Sequence, residues 1–140
     1  MKRDGAHFPY ASSEPTPVES DFRPFMPIEL AISPHKISAM ALVDSGAMAN
    51  VLPYDLGVQL GADWHCQSRM ITLGGKLAHV EARGLVVMAN VADFAPVRLV
   101  FAWAMSDQVP LILGQANFFL EFDVCFFRSK LTFEVKPKSS

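Results

Sequence analysis

An apolar run, Ala41-Leu42-Val43, delivers one acid, Asp44, into Ser45-Gly46, and the chain then turns apolar again through Ala47, Met48, Ala49 and Val51. An unpaired carboxylate at the end of such a run is costly to bury, so its neighbours must hydrogen-bond it, neutralise it or use it. Used, it is a group that takes up and returns a proton. Seventy residues beyond Asp44 stands Gly114, at the end of a second apolar run in Pro110-Leu111-Ile112-Leu113-Gly114-Gln115. Between the two lies Met70-Ile71-Thr72-Leu73-Gly74-Gly75-Lys76-Leu77. Its paired glycines suit a tight hairpin, because glycine reaches positive φ at little cost.

Other chemistries find little to stand on. Cys66 and Cys125 are too few for a disulfide framework and read as two reduced, partly buried thiols. His65 adjoins Cys66, but His7, His35 and His79 are scattered without ligand spacing, so no metal site is expected. No phosphate-binding glycine loop, Ser-His-Asp arrangement or Cys-His nucleophile pattern is present, and no cofactor is called for. The formal charge is −2, with Lys and Arg dispersed, which argues against nucleic acid as a partner. No apolar run is long enough to span a bilayer, and Met1-Lys2-Arg3-Asp4-Gly5 opens no secretory segment. The expectation is a soluble, cytoplasmic protein, unless a signal or anchor lies outside these residues.

The elements that must position Asp44 are mostly strands. Residues 1–24 carry four prolines among Ser, Glu and Thr and read as a flexible arm, residues 25–136 as one folded domain, and residues 137–140 as a tail. Ile28, Leu30 and Ile32 alternate with Glu29 and Ala31, and a turn at Ser33-Pro34-His35 leads into a strand from Lys36 to Val43. Pro53 suits the first turn of a short helix through Leu60, capped by Gly61. Residues 69–73 and 76–81 flank the glycine pair. Strands follow at 83–91, 97–105 and 109–113, then a helical turn over 115–120 and a hairpin of 122–127 with 131–135. Phe118, Phe119, Phe122, Phe126 and Phe127 read as core and interface packing rather than as a ligand box. The whole is mainly β, a closed or nearly closed fold of short strands with one or two short helices.

Taken together and in order, the three segments resemble the signatures of the retropepsins, the retroviral-type aspartic proteases. Those carry Asp-Thr/Ser-Gly-Ala on a hydrophobic strand, a glycine-tipped flap, and apolar residues with a glycine leading into a short helix. The resemblance spans roughly residues 27–135 and implies a small, closed, barrel-like acid protease fold. It implies catalytic roles for Asp44, Ser45 and Gly46, and substrate-binding roles for Ala47, Met48, Leu73, Gly74, Gly75, Leu111 and Ile112. Ser45 would hydrogen-bond across to a second loop, Leu73 would close over the substrate, and Leu111, Ile112 and Gly114 would wall the Asp loop from beneath. Ala47 brings no hydroxyl to the carboxylate.

Hydrolysis by this route uses two carboxylates about 3 Å apart sharing one proton. A chain with one such motif then supplies half a site, and a homodimer becomes a requirement. The high apolar content, 51% against 19% charged, also suggests surface covered by another chain. Leu131-Thr132-Phe133-Glu134-Val135 is the strand expected to hold the dimer.

Two positions depart from the retroviral pattern. Met48 and Ala49 stand where many members have acids, and Gln115 stands where an arginine often pairs with one of them. Losing both partners together is coherent, since either ion alone would be unpaired. The ending Gly114-Gln115 followed by Phe118-Phe119 and a hairpin is more similar to the cellular and bacterial members. The implied function is a homodimeric aspartic endopeptidase acting on a peptide or protein substrate. The alternatives are a catalytically silent module for dimerisation or peptide binding, and a zymogen trimmed at its Pro-rich arm.

Overall fold

Met26, Ile28 and Leu30 alternate with Pro27 and Glu29, and in the computed structural model, which describes residues 4–139, they form the buried face of strand β2 (Phe25–Ile32). A tight turn returns the chain as β3 (His35–Val43), antiparallel to β2 with Ile32 opposite His35. β2 also pairs through Glu29–Ala31 with β6 (Ala82–Asn90), and β6 runs antiparallel to β7 (Val97–Ala104). β7 lies parallel to β4 (Asn50–Leu52), β4 meets β8 (Ile112–Leu113), and β8 lies parallel to the end of β3. Six strands thus close on themselves as a barrel, with the two-residue β5 (Met70–Ile71) hanging on β6. The barrel is filled by alternate residues, including Leu85, Val87 and Ala89 from β6 and Leu99, Phe101 and Trp103 from β7. The expected mainly β, closed architecture with short helices is what the chain adopts.

Helix α1 (Tyr54–Gln59) follows Pro53 and ends ahead of Gly61, whose φ of +81° is the left-handed conformation that glycine accepts. It is pinned by Trp103, whose Nε1 donates to the Tyr54 carbonyl at 3.0 Å while its indole stacks on the Tyr54 ring. Helix α2 (Phe118–Glu121) begins later than the sequence pattern suggests. The N–H groups of Gln115 and Ala116 are taken by the carbonyls of Ala47 and Met48, so those two residues continue a loop instead of starting a turn. The apolar stretch 109–113 is likewise strand only at Ile112–Leu113.

Beside the barrel stands a three-stranded antiparallel sheet in the order β1 (Ala6–Pro9), β10 (Thr132–Pro137), β9 (Phe122–Phe127). Two expectations are corrected here. Part of the segment read as a flexible arm is a paired strand: Ala6, Phe8 and Tyr10 alternate and pack on the core, a short period hidden by the surrounding prolines. The strand expected to hold a dimer is the middle of this sheet, with β1 on one side and β9 on the other, so its backbone groups are already paired.

Two further corrections are local. The chain makes no two-residue turn at Gly74-Gly75. Ile71 pairs with Ala82, and residues 72–81 form a longer tip with a 3₁₀ turn over Gly75–Leu77, because Leu73, Leu77 and Val80 fold inward onto a small apolar cluster. Cys66 and Cys125 are both free and exposed rather than partly buried. Among the described residues no helix is long and apolar enough to cross a membrane.

Candidate active site

β3 ends at Val43, and Asp44 leaves the barrel wall at the point where β3 and β8 part. The Asp44 N–H donates to the Leu113 carbonyl at 3.0 Å, which continues the ladder by one bond and holds the acid at its end. The loop then turns on itself. Gly46 N–H donates to Asp44 Oδ1 at 2.9 Å, and Ala47 N–H donates to the Asp44 carbonyl at 3.1 Å. Asp44 is half-buried, while Ser45 and Gly46 are exposed. A Cβ at position 46 would stand 3.3 Å from Asp44 Oδ1, so glycine gives the carboxylate its room.

Beyond the Asp44–Leu113 bond, the segment 45–50 is joined to Gly114, Gln115 and Ala116 by the Asn50 N–H, which donates to the Ala116 carbonyl at 3.0 Å, and by four other contacts. Gln115 N–H donates to the Ala47 carbonyl at 2.9 Å, and Ala116 N–H donates to the Met48 carbonyl at 2.9 Å. Gln115 Nε2 donates to the Ser45 carbonyl at 2.8 Å, so the side chain standing at the arginine position braces the loop that bears the acid. The fourth contact comes from Asn50, the only fully buried polar side chain among the described residues. Its Oδ1 accepts from Gly114 N–H at 2.8 Å, and its Nδ2 donates to the Val100 carbonyl at 3.1 Å and to Asn117 Oδ1 at 3.2 Å. Gly114 itself has no space for a side chain, since a Cβ there would overlap the Ala49 carbonyl oxygen and lie 2.7 Å from that of Ala47.

Asn50 and Asn117 are the positions that sequence reasoning missed. The available signal is an isolated amide between apolar neighbours in Ala49-Asn50-Val51, since a buried amide has to find partners.

Asp44 borders two cavities. One, of about 360 Å³, is lined by Asp44, Gly46, Ala47, Met48 and Ile112 on the barrel side and by Leu73, Gly74 and Gly75 on the 72–81 tip. Nine of the ten residues singled out in the sequence therefore lie in or beside this region, counting Ser45 at its rim. Leu111 is the exception: it is buried in the barrel core, and its carbonyl accepts from Leu42 N–H. Met48 is 79% exposed, which leaves its flexible thioether side chain over the cavity mouth. The second cavity, of about 330 Å³, runs from Asp44 and Ser45 past Arg23 and Leu42 to Tyr10 and Phe126.

No protein-family model matches the chain, and no curated protein matches its sequence. Solved structures do match. A retropepsin-like aspartic protease from Rickettsia conorii superimposes with a TM-score of 0.58 over 96% of this chain and 95% of that one, at 16% identity. The EIAV protease, in its complex with the inhibitor HBY-793, superimposes with a TM-score of 0.50 over 66% of this chain and 82% of that one, at 21% identity. At such identities the shared property is the fold, and it agrees with the closed barrel. The chain has the fold of the retropepsin-like aspartic proteases.

Proposed function

We propose that the protein is an aspartic endopeptidase, active as a homodimer in which Asp44 of each copy supplies one of two catalytic carboxylates. The observation that carries this reading is the position of Asp44. It stands half-buried at the end of a barrel strand, between two cavities, on a loop tied by hydrogen bonds to Gly114, Gln115 and Ala116. So rigid a mounting suits a group that works by position.

In this reading two Asp44 carboxylates face each other and share one proton. The ionised carboxylate takes a proton from a bound water, whose oxygen attacks the scissile carbonyl carbon. The protonated one donates to the carbonyl oxygen as the tetrahedral intermediate forms. Collapse then breaks the C–N bond, the departing nitrogen takes up a proton, and a carboxylic acid and an amine leave. Ser45 bonds across to the opposite loop, and Gly46 keeps space at the carboxylate. Ala47, Met48, Leu73 and Ile112 offer apolar contact to an extended peptide, and the 72–81 tip acts as the flap that excludes water.

The test is incubation of the chain with a mixed peptide library at several pH values, wild type beside Asp44→Asn. Cleavage by the wild type should fall at least about 10²-fold in the variant, the lower end of what a general acid–base group contributes. It should also rise more steeply than linearly with protein concentration near the dissociation constant. Equal cleavage by both proteins, or none by a wild type shown to be dimeric, would overturn the proposal, the latter in favour of a silent module.

A further inference from the structure

Asp44 stands between two cavities of similar size and unlike chemistry. The one under the 72–81 tip has Asp44 as its only charged lining residue. The other, of about 330 Å³, adds a cation, Arg23, to apolar walls that include Pro24, Leu42 and Phe126. We infer that Arg23 makes this second cavity a subsite for an acidic side chain of the peptide, a glutamate or aspartate close to the scissile bond. The inference rests on the peptidase reading above and names a substrate class that reading leaves open.

The backbone holds Arg23 in one place. Arg23 and Ala11 each donate an N–H to the other's carbonyl at 2.9 Å, and Phe25 N–H donates to the same Arg23 carbonyl. Pro24, which follows, keeps Arg23 in an extended conformation. The side chain is tethered once, by Nη1 donating to the Ser20 carbonyl at 2.9 Å. A guanidinium carries five N–H donors in a planar fork, so one bond to a neutral acceptor orients the group and leaves its charge and further donors unused.

Among the described residues no carboxylate pairs with Arg23, whereas Arg83 pairs with Glu81 and Arg128 with Glu19. The acids nearest to it in sequence are engaged elsewhere. Glu19 meets Arg128 Nη1 at 3.5 Å, and Asp21 Oδ2 accepts from Val18 N–H at 3.0 Å. Asp44 shares the cavity without an ion pair to Arg23, and its Oδ1 accepts from Gly46 N–H at 2.9 Å. A second copy of the chain would bring the same acid loop, whose residues 45–54 contain no acid.

The walls suit an acidic side chain better than a small free anion. Phe126, 37% exposed, offers apolar contact to methylene groups together with Pro24 and Leu42, while the guanidinium fork takes the carboxylate oxygens. Partial shelter from water strengthens such a contact relative to a fully exposed pair. The peptide then presents an apolar side chain to one cavity and an acidic one to the other.

The experiment uses fluorescent apolar peptides with both ends blocked, carrying either Glu or Gln at successive positions, so that size is held and only charge changes. At one position or more the wild type should prefer Glu over Gln by about tenfold in kcat/KM, the scale of a hydrogen bond to a charged group. That ratio should fall below about twofold in Arg23→Gln, the size of a screened surface contact. It should be intermediate in Arg23→Lys, which keeps the charge and loses the fork, and added salt should shrink it in the wild type. Damage common to both peptides cancels in the ratio, and circular dichroism checks the fold of each variant. Cleavage with no preference for Glu at any position, or with a preference that Arg23→Gln retains, would overturn the subsite and leave the peptidase reading standing. A wild type that cleaves none of the peptides counts against the peptidase reading, and binding then decides the subsite. By fluorescence anisotropy Asp44→Asn should bind a Glu peptide more tightly than its Gln counterpart, and the double variant Asp44→Asn, Arg23→Gln should not. Equal binding of the two peptides by Asp44→Asn, or no binding of either, would overturn the subsite as well.

Discussion

Asn50 and Gly114 are joined between neighbouring strands of the barrel by a buried hydrogen bond of 2.8 Å from the Gly114 N–H to Asn50 Oδ1. With the bonds from Asn50 Nδ2 to the Val100 carbonyl and to Asn117 Oδ1, this one amide links β4, β7 and both loops of the candidate site. Asn50→Ala leaves the Gly114 N–H and the Val100 carbonyl without that partner in a site water cannot easily reach. The expected loss of stability is roughly 2–4 kcal/mol, the scale of one or two buried groups left unpaired. Chemical denaturation of the variant checks it, and a loss under about 0.5 kcal/mol would mean that the link is not structural.

Gly114→Ala tests the same junction by volume instead of by hydrogen bonding. The added methyl would meet the Ala49 and Ala47 carbonyl oxygens, which are backbone and cannot swing aside. Overpacking of this kind costs about 1–3 kcal/mol. Because those carbonyls belong to the loop that carries Asp44, cleavage per folded molecule should fall as well. A variant with wild-type melting and wild-type cleavage would show that the Asp44 loop moves freely against Gly114.

The two glycines of the 72–81 tip should behave differently. Gly74 has an ordinary φ of −98° and Gly75 a φ of +59°, and neither has a neighbouring atom within 4 Å of an added Cβ. Gly74→Ala should therefore be nearly neutral in thermal unfolding, within about 0.5 kcal/mol. Gly75→Ala should cost about 1–2 kcal/mol, the penalty of a left-handed alanine, or shift the tip to another conformation. Equal effects at the two positions would contradict the 3₁₀ turn at Gly75–Leu77.

Cys66 offers a pH-dependent reporter away from the site. Its thiol is raised above the ordinary cysteine value, first by the hydrogen bond to Asp63 Oδ2 at 3.5 Å and then by the charge of that carboxylate. The reactive thiolate therefore appears only at higher pH. In a Cys125→Ser background, Asp63→Asn removes the charge, so the midpoint of the pH dependence of alkylation should move down. A midpoint that stays in place or rises would show that Asp63 does not contact the thiol.

The sequence by itself determined the local chemistry and the face that each strand buries. Asp44-Ser45-Gly46 is one contiguous loop, and the alternation of Met26, Ile28 and Leu30 with Pro27 and Glu29 carries its own burial code, because side chains on a strand switch sides at every residue. The start of α1 after Pro53 and its end before Gly61 were legible for the same reason, since proline and glycine act through their own backbone. The tertiary structure decided what depends on partners far along the chain. Gln115 and Ala116 lie outside α2, their N–H groups taken by the carbonyls of Ala47 and Met48, 68 residues earlier, and Asn50 matters only where the barrel closes over it. It decided too that β1 fills one side of β10 and that β9 keeps an open edge beside Asp44. Strand neighbours follow from closing long loops around a common core, and no pattern within six residues of sequence records which edge is left over.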